Sequence, residues 1–436
     1  LQKLKIGMYY IKKLFPQSIK NLYHLMQAIL ANIKYGFPSR KLKVIGITGT
    51  DGKTTTVQMI TKILEEAGKK VAMASTINFK INGQEEKNLS HYTTESPFAL
   101  QKFIKKAVKE RCEYLVLETS SHALDQHRIW GVNYKTAVLT NITREHLDYH
   151  GTMEKYRKAK QKLFDVVARK KGTIIVNLDM EIPEQFLKYD EVSIFGYSQG
   201  KNTMKGNIDT QVNIINAEKV ELGLNSSSFM IKDNFFKINL PGVFNIENSL
   251  AAICVGLSEG ISLKNISDAL EKIEGVSGRM EFIKNNKELS IIVDFALTPA
   301  ALEKLYFFIS QTKKEESKLI AIFGSCGERD RGKRPVMGEV VSKYADSIIV
   351  TNDEPYHEDP KRIIDEIVSG INNKKENENL WIIPDRREAI KKSLQMTKAG
   401  DIIVITGMGN FESMVVGDDK IPWSDKGVIE EELKRI

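Results

Sequence analysis

The sequence predicts an α/β fold: a central P-loop domain with a mostly parallel sheet and a small antiparallel sheet, followed by a Rossmann-like α/β C-terminal domain. Three observations carry this. Short apolar runs alternate with helical segments from residue 43 onward, a glycine-rich turn follows the first run, and a second alternating series begins after residue 284. Continuous apolar runs of this length mark strands buried on both faces, which is the condition of a parallel sheet covered by helices.

Taken in order, residues 1–40 contain seven Lys or Arg and no Asp or Glu, with Leu22, Leu25, Met26, Ile29, Leu30 and Ile33 at helical spacing. This predicts a basic amphipathic helix ending near Gly36 and Pro38. Such a helix either packs on its own domain or lies on an anionic membrane. The runs "KVIGIT", "YLVLET", "TAVLTN" and "TIIVN" predict parallel strands. Between about 192 and 240 the helical period fades, and "NIINAEKVEL" and "NFFKINL" predict the small antiparallel sheet. A helix follows at "NIENSLAAICVGLSEG", and "SIIVDF", "LIAIFG", "SIIVTN" and "DIIVITG" predict the second set of buried strands. The expected organisation is a basic helical segment over 1–40, a central α/β domain over 41–284 and a C-terminal α/β domain over 285–436.

Composition bounds the partners. With 42% hydrophobic and 28% charged residues the chain reads as globular, and its net charge of +8 suits a nucleotide, an anionic peptide or an anionic membrane surface. No nucleic-acid partner is expected. The cysteines, Cys112, Cys254 and Cys326, are three in number and far apart, which fits neither a disulfide framework nor a cysteine zinc site and suits a reducing cytoplasm. No run reaches the roughly 18 apolar residues of a spanning helix.

The stretch "IGITGTDGKTTTVQMI" joins a strand to a helix through glycines 46, 49 and 52, so backbone N–H groups and a helix N-terminus converge on one anion site. Lys53 would reach the β- and γ-phosphates, and the Thr54 hydroxyl would take Mg2+. The usual first glycine of such a loop would fall at 47, where Ile47 stands.

"GTDGKTTT" resembles the ATP loop of the Mur ligase superfamily, which usually has Asn at the position of Asp51. The blocks "LETSSHALDQHR", "TNITREHLDYHGTMEKYRKAKQKLF", "LPGVFNIENSLAA", "GRMEFI", "VDFALTP" and "GERDRGKRPVMGE" follow in the same order. The similarity covers roughly 43–436 and is greatest to the synthetases that add the third residue of the peptidoglycan stem peptide. It implies an ATP-dependent, ADP-forming amide ligase acting through an acyl phosphate. Gly49, Thr50, Asp51, Gly52, Lys53, Thr54 and Thr55 are then the ATP loop, with Asn245 and Asn248 near the adenine and Arg279 and Asp294 from the following domain. Asn245 could otherwise be a helix cap. Metal ligands would be Thr54, Glu118, His146 and Lys160, the last as a carbamate; Lys53, Lys160, His146 and Arg279 would carry catalysis. Thr93, Thr94, Ser120, Gln126 and Arg128 match positions that hold a muramyl-peptide acceptor, and Arg329, Asp353, Glu354, Tyr356, Gly407 and Glu412 would face the amino acid.

Several positions depart from that pattern. Leu297 stands for a histidine, Tyr356 for the Arg of "DNPR", and Phe411 for the Glu of "GKGHE", so the two-sided clamp on a distal carboxylate of meso-diaminopimelate is missing a principal part. Ahead of the ATP loop stands the basic segment, where full-length relatives carry a UDP-gripping domain. The expectation is a monomeric cytoplasmic ligase, peripheral at the inner membrane face through residues 1–40, with ATP and Mg2+ as cofactors. Two rivals stand beside it: a ligase on a folylpolyglutamate- or cyanophycin-like carboxylate, and a nucleotide-binding scaffold without catalysis.

Overall fold

The computed structural model describes residues 16–200 and 211–435. They divide into two compact units, the first comprising residues up to Thr143 together with His150–Glu274, the second Arg144–Tyr149 together with Gly275 onward. The expected boundary at 284 falls at the hairpin that opens the second unit's sheet, between Glu281–Ile283 and Ser290–Asp294.

In the first unit the strands β1 (Lys43–Thr48), β2 (Val71–Ala74), β3 (Asn78–Ile81), β4 (Gln84–Lys87), β5 (Tyr114–Glu118), β6 (Tyr134–Leu139), β7 (Thr173–Asn177), β8 (Ser193–Ser198) and β9 (Val212–Asn216) form one sheet among the described residues. Its order is β4-β3-β2-β5-β1-β6-β7-β8-β9. All pairings are parallel except β2–β3 and β3–β4. Strands β1 and β5 are buried along almost their whole length, as continuous apolar runs require.

The stretch expected to be wholly antiparallel divides. "VNIIN" runs parallel to β8 at the edge of the large sheet, while β10 (Glu218–Leu222), β11 (Ser227–Ile231) and β12 (Asn234–Ile238) form the small antiparallel sheet. Strand β9 is the edge strand and none of its residues is buried, so it lacks the continuous apolar run of its parallel neighbours.

The helix Gln17–Tyr35 ends at Gly36, whose φ of 73° places it in the left-handed region. This helix is inverted. Small and polar residues face the unit, where Ala28, Ala31 and Asn32 are buried and Asn32 Nδ2 donates to the Trp130 carbonyl at 2.7 Å. Ile19, Leu22, Tyr23, Met26, Leu30 and Ile33 are exposed, each by half or more of its surface. The first fifteen residues lie outside the described part of the chain.

The second unit has β13 (Glu281–Ile283), β14 (Ser290–Asp294), β15 (Leu319–Phe323), β16 (Ser347–Val350), β17 (Leu380–Ile382) and β18 (Ile402–Thr406) in the order β13-β14-β18-β15-β16-β17. Only the β13–β14 pairing is antiparallel. Its core is built from Ile291, Val293, Ile322, Ile349, Ile403 and Ile405 with the helices that cover them.

Candidate functional site

In an open parallel sheet the loops at the carboxyl ends of the strands make the binding crevice, at the point where strand order reverses. In the first unit that point lies among β5, β1 and β6, whose carboxyl ends carry Glu118, the loop 49–52, and Thr140 with Asn141. The helix Lys53–Glu66 starts directly from Gly52. Gly52 has φ 80°, and a Cβ there would strike the Asn248 side chain, so both backbone and neighbour demand glycine.

The loop is held from several sides. Asp51 N donates to Asn141 Oδ1 at 2.9 Å, and Thr140 Oγ1 donates to the Asp51 carbonyl at 2.6 Å. Thr143 N donates to Thr50 Oγ1 at 2.9 Å, and that hydroxyl meets Tyr156 Oη at 3.1 Å. Lys53 Nζ donates to the Thr50 carbonyl at 2.6 Å. Thr55 is buried behind the loop. Asn248 reaches Thr56 Oγ1 at 3.4 Å and donates to Asn245 Oδ1 at 3.2 Å. Asn245 itself donates to the Pro241 carbonyl at 2.8 Å, while Gly242 takes the N-cap position.

Glu118 is 1% exposed and anchors a polar cluster beneath the loop. Thr54 Oγ1 donates to its Oε2 at 3.0 Å, Thr76 N to the same oxygen at 2.8 Å, and Thr76 Oγ1 to Oε1 at 2.9 Å. Lys160, on the helix Met153–Ala168, is equally buried; its amine donates to the Gly49 carbonyl at 2.7 Å and lies 4.4 Å from the Tyr156 ring centre. Burial first, and then Lys160 and Lys162 against the opposing pull of Asp125, hold the His150 imidazole down at about 4, so it is neutral beside them.

Among the described residues no three or more His, Cys, Asp or Glu side chains gather for a metal ion. Thr54 and Glu118 nonetheless fit magnesium, which takes hard oxygen donors, few from the protein, and the rest from phosphates and water.

The acceptor positions cluster next to this. Thr94 Oγ1 donates to the Glu118 carbonyl at 2.9 Å and receives Ser120 N at 3.0 Å; Thr93 Oγ1 lies 3.1 Å from Thr76 Oγ1. Ser120 caps the helix Ser121–Asp125, Gln126 closes it, and Arg128 Nη1 donates to the Thr94 carbonyl at 2.5 Å.

His146, Arg279 and Asp294 belong to the second unit. Asp294, at the end of β14, accepts Met280 N and Ala296 N, each at 2.7 Å, and the Arg279 guanidinium lies 4.4 Å from the Phe295 ring centre. His146 has a φ of 56°, and Glu145 beside it pairs with Lys333 at 3.2 Å.

At the carboxyl edge of the second sheet, Asp353 is buried with Oδ2 facing Gly407, whose φ is 110° and whose missing Cβ leaves room for that carboxylate. Arg386 bonds Asp353 at 3.2 Å and Asp425 at 2.7 Å, yet burial outweighs it and pushes the Asp353 carboxyl up to about 7. Glu354 accepts Val415 N at 3.2 Å and Tyr356 Oη at 3.3 Å. Arg329 lies 5.8 Å from the Tyr356 ring centre, Phe411 packs edge-on against Phe295, and the Glu412 carbonyl accepts Trp423 N at 3.0 Å.

Sequence reasoning did not single out Thr76, Tyr156, Thr140, Asn141, Arg386 or Asp425. "TNIT" already lay inside a quoted block, and its loop-bracing role follows from sitting at the end of a strand adjacent to β1. Nothing local marks Thr76 or Arg386, whose partners are distant in sequence.

Residues 47–256 match the Mur ligase middle domain and residues 278–409 the Mur ligase glutamate ligase domain. The chain is 39% identical over 414 residues to the UDP-N-acetylmuramoyl-L-alanyl-D-glutamate--2,6-diaminopimelate ligase of Syntrophomonas wolfei, covering 93% of this chain and 81% of that one. It is 35% identical over 415 residues to the UDP-N-acetylmuramyl-tripeptide synthetase of a Roseiflexus species, covering 91% and 80%. A solved UDP-N-acetylmuramoyl-L-alanyl-D-glutamate--2,6-diaminopimelate ligase superposes with a TM-score of 0.60 at 30% identity, covering 90% of this chain and 78% of that one. A Mycobacterium tuberculosis folylpolyglutamate synthase complexed with ADP shares the fold at a TM-score of 0.64 and 15% identity, covering 88% and 91%.

Proposed function

The chain belongs to the Mur ligase family, and from that membership we propose how its residues divide the work of an ATP-dependent, ADP-forming amide ligation in peptidoglycan precursor synthesis. The first unit activates a carboxylate of a muramyl-peptide acceptor, and the second presents the amino acid. The observation that carries this reading is the buried Glu118 bonded to the Thr54 hydroxyl directly beneath the phosphate loop.

In the first step a carboxylate oxygen bonds to the γ-phosphorus as ADP departs, leaving an acyl phosphate. The amine nitrogen then bonds to the acyl carbon, inorganic phosphate leaves, and the amine gives up a proton. The protein's part is positioning and charge neutralisation. Lys53 and the loop N–H groups hold the phosphates, and Thr94, Ser120 and Arg128 orient the acceptor. Thr54 and Glu118 would hold magnesium, which supplies positive charge to the phosphates when bound. Lys160 carries a carbamate, formed when its neutral amine bonds to carbon dioxide and releases a proton. Its burial against the loop suits an anionic ligand-bearing group there.

The amino acid is a diamine such as lysine. Asp353 Oδ2 and Glu354 receive its cationic ends, and Tyr356 and Phe411 stand where a carboxylate clamp would need an Arg and a Glu. Loss of charge-assisted bonds of about 1.5–3 kcal/mol each makes meso-diaminopimelate the poorer substrate by roughly ten- to a hundredfold per contact. Phosphate release from ATP, measured with a muramyl dipeptide acceptor and lysine, ornithine or meso-diaminopimelate in competition, tests both parts. No release with any pair overturns the ligase assignment, and preference for meso-diaminopimelate overturns the specificity.

The inverted helix Gln17–Tyr35 supports a further element of the reading: its outward apolar stripe and the cations around it dock the enzyme peripherally on an anionic membrane face, from the cytoplasmic side. No helix among the described residues is long and apolar enough to cross a membrane.

A further inference from the structure

A cavity of about 680 Å³ opens in the first unit away from the phosphate loop. Its walls come from segments that each lead into the amino end of a strand. The turn Pro38–Lys41 and the preceding Phe37 enter β1, Trp130–Asn133 enter β6, and Arg169 and Lys170 precede β7. The phosphate loop leaves β1 at its other end, on the order of 20 Å along a six-residue strand. The cavity is therefore no part of the ATP site, and its volume suits a single small ligand.

Its chemistry is one-sided. Arg40, Lys162, Arg169 and Lys170 line it against one acid, Asp165, whose carboxylate accepts the Tyr189 hydroxyl at 2.7 Å. Lys162 is paired with Asp125 at 2.8 Å, but the contacts of the other three are neutral. Arg40 stacks 4.4 Å from the Phe37 ring centre, Arg169 Nε donates to the Asp165 main-chain carbonyl at 3.1 Å, and Lys170 Nζ donates to Asn133 Oδ1 at 2.6 Å. Partial burial first, and then repulsion from Lys135, Arg169 and Arg40, hold the Lys170 amine below its ordinary value. Beside these cations stand two flat surfaces, Phe37 and Trp130, in edge contact at 6.4 Å, and Trp130 is 40% exposed. Among the described residues Arg40, Arg169 and Lys170 make no ion pair, and such cations next to an exposed indole form a receptor for a phosphorylated ring compound: the guanidinium and ammonium groups take phosphate oxygens and the indole takes the ring.

We propose that this cavity is a second nucleotide site, binding a nucleoside diphosphate with its diphosphate on Arg40, Arg169 and Lys170 and its base against Trp130. Such a ligand brings the charge the cluster lacks, and its ring matches the aromatic wall.

The test is titration of this chain with UDP while the phosphate loop is saturated with a non-hydrolysable ATP analogue, repeated in Lys53→Ala, with calorimetry and tryptophan fluorescence as readouts. Arg40→Glu and Arg169→Glu alter exposed side chains and leave the core intact. UDP should bind in both formats, weaken about tenfold or more with either reversal, and lose its fluorescence signal in Trp130→Leu. Pyrophosphate should bind more weakly than UDP, and uridine should not bind. Unchanged UDP affinity in both reversals overturns the proposal, as does pyrophosphate binding as tightly as UDP. If the reversals abolish sedimentation with phosphatidylglycerol vesicles while UDP never binds, the cluster is a lipid headgroup contact and the nucleotide site is refuted.

Discussion

Two buried ionisable residues set the chemistry at the smallest scale. Lys160 spends its amine on a backbone carbonyl of the phosphate loop and on the Tyr156 ring, within a helix whose inner face is otherwise apolar. A lysine serving only as surface charge would sit with Lys155 and Lys158 on the solvated side. Lys160→Ala is expected to lose most turnover while keeping its far-UV circular dichroism, and short-chain carboxylic acids should restore part of the rate. Wild-type activity should fall when bicarbonate is rigorously removed; a variant that turns over normally without bicarbonate refutes the carbamate. Asp353 presents the opposite case, a carboxyl raised from 3.8 to about 7 chiefly by burial. Between those values the folded chain keeps a proton that the unfolded chain releases, so this group's contribution to stability is full below about 4 and declines as pH rises to 7. An ammonium ligand needs the ionised form. The KM for the amino acid should therefore fall about tenfold per pH unit below 7 and level off above it, and Asp353→Asn should raise KM and flatten the profile.

At the scale of elements, the segment "GERDRGKR" is fixed by its cations: exposed Arg331 pairs with Glu358 and Glu366, and Arg334 pairs with the same two from within. Arg334 is fully buried at the start of the helix Lys333–Tyr344, holding Glu358 at 2.8 Å and Glu366 at 2.7 Å, and it also donates to the Cys326 carbonyl at 3.2 Å. The same pairing holds Glu358 down at about 2. That contribution is present above the ordinary glutamate value and is lost as pH falls through 2. Removing the Arg334 cation leaves two partly exposed carboxylates that keep Arg331 and Arg362 nearby, so the cost falls below the roughly 3–5 kcal/mol of a fully buried pair. Arg334→Met should lower the second unit's denaturation midpoint accordingly and raise the amino-acid KM, because Arg329 lies on the loop that Arg334 anchors. Equal stability of Arg334→Met and wild type in urea would remove the anchor from the account. The edge strand β9 gives a related lesson, since exposure at the sheet edge interrupted its apolar run and hid its parallel pairing.

At the scale of the whole molecule, the net charge of +8 is unevenly spread, with seven cations and no acid in the first forty residues. Each Lys or Arg near an anionic surface contributes on the order of 1 kcal/mol, and the outward stripe of the helix Gln17–Tyr35 adds apolar area. The chain should sediment with phosphatidylglycerol vesicles at low salt, release at about 1 M salt, where screening acts within roughly 3 Å, and ignore neutral vesicles. Leu22→Ser with Leu30→Ser should weaken that binding while changing stability by under about 0.5 kcal/mol per site, because both side chains are already exposed. An intact chain that ignores anionic vesicles refutes the docking. The sequence by itself determined the α/β class, the strand-to-loop-to-helix phosphate site and the order of the family blocks, because strand burial, helix period and glycine turns are written in residues close together in the chain. Only tertiary structure decided that the helix Gln17–Tyr35 packs its small residues inward and leaves large apolar ones outside, that Glu118 is shared by Thr54 and Thr76, and that Arg386 binds both Asp353 and Asp425. It also decided that Arg40 and Lys170 meet at one cavity. Those contacts join residues tens of positions apart, and a buried charge finds its partner in space, where local pattern carries no record of it.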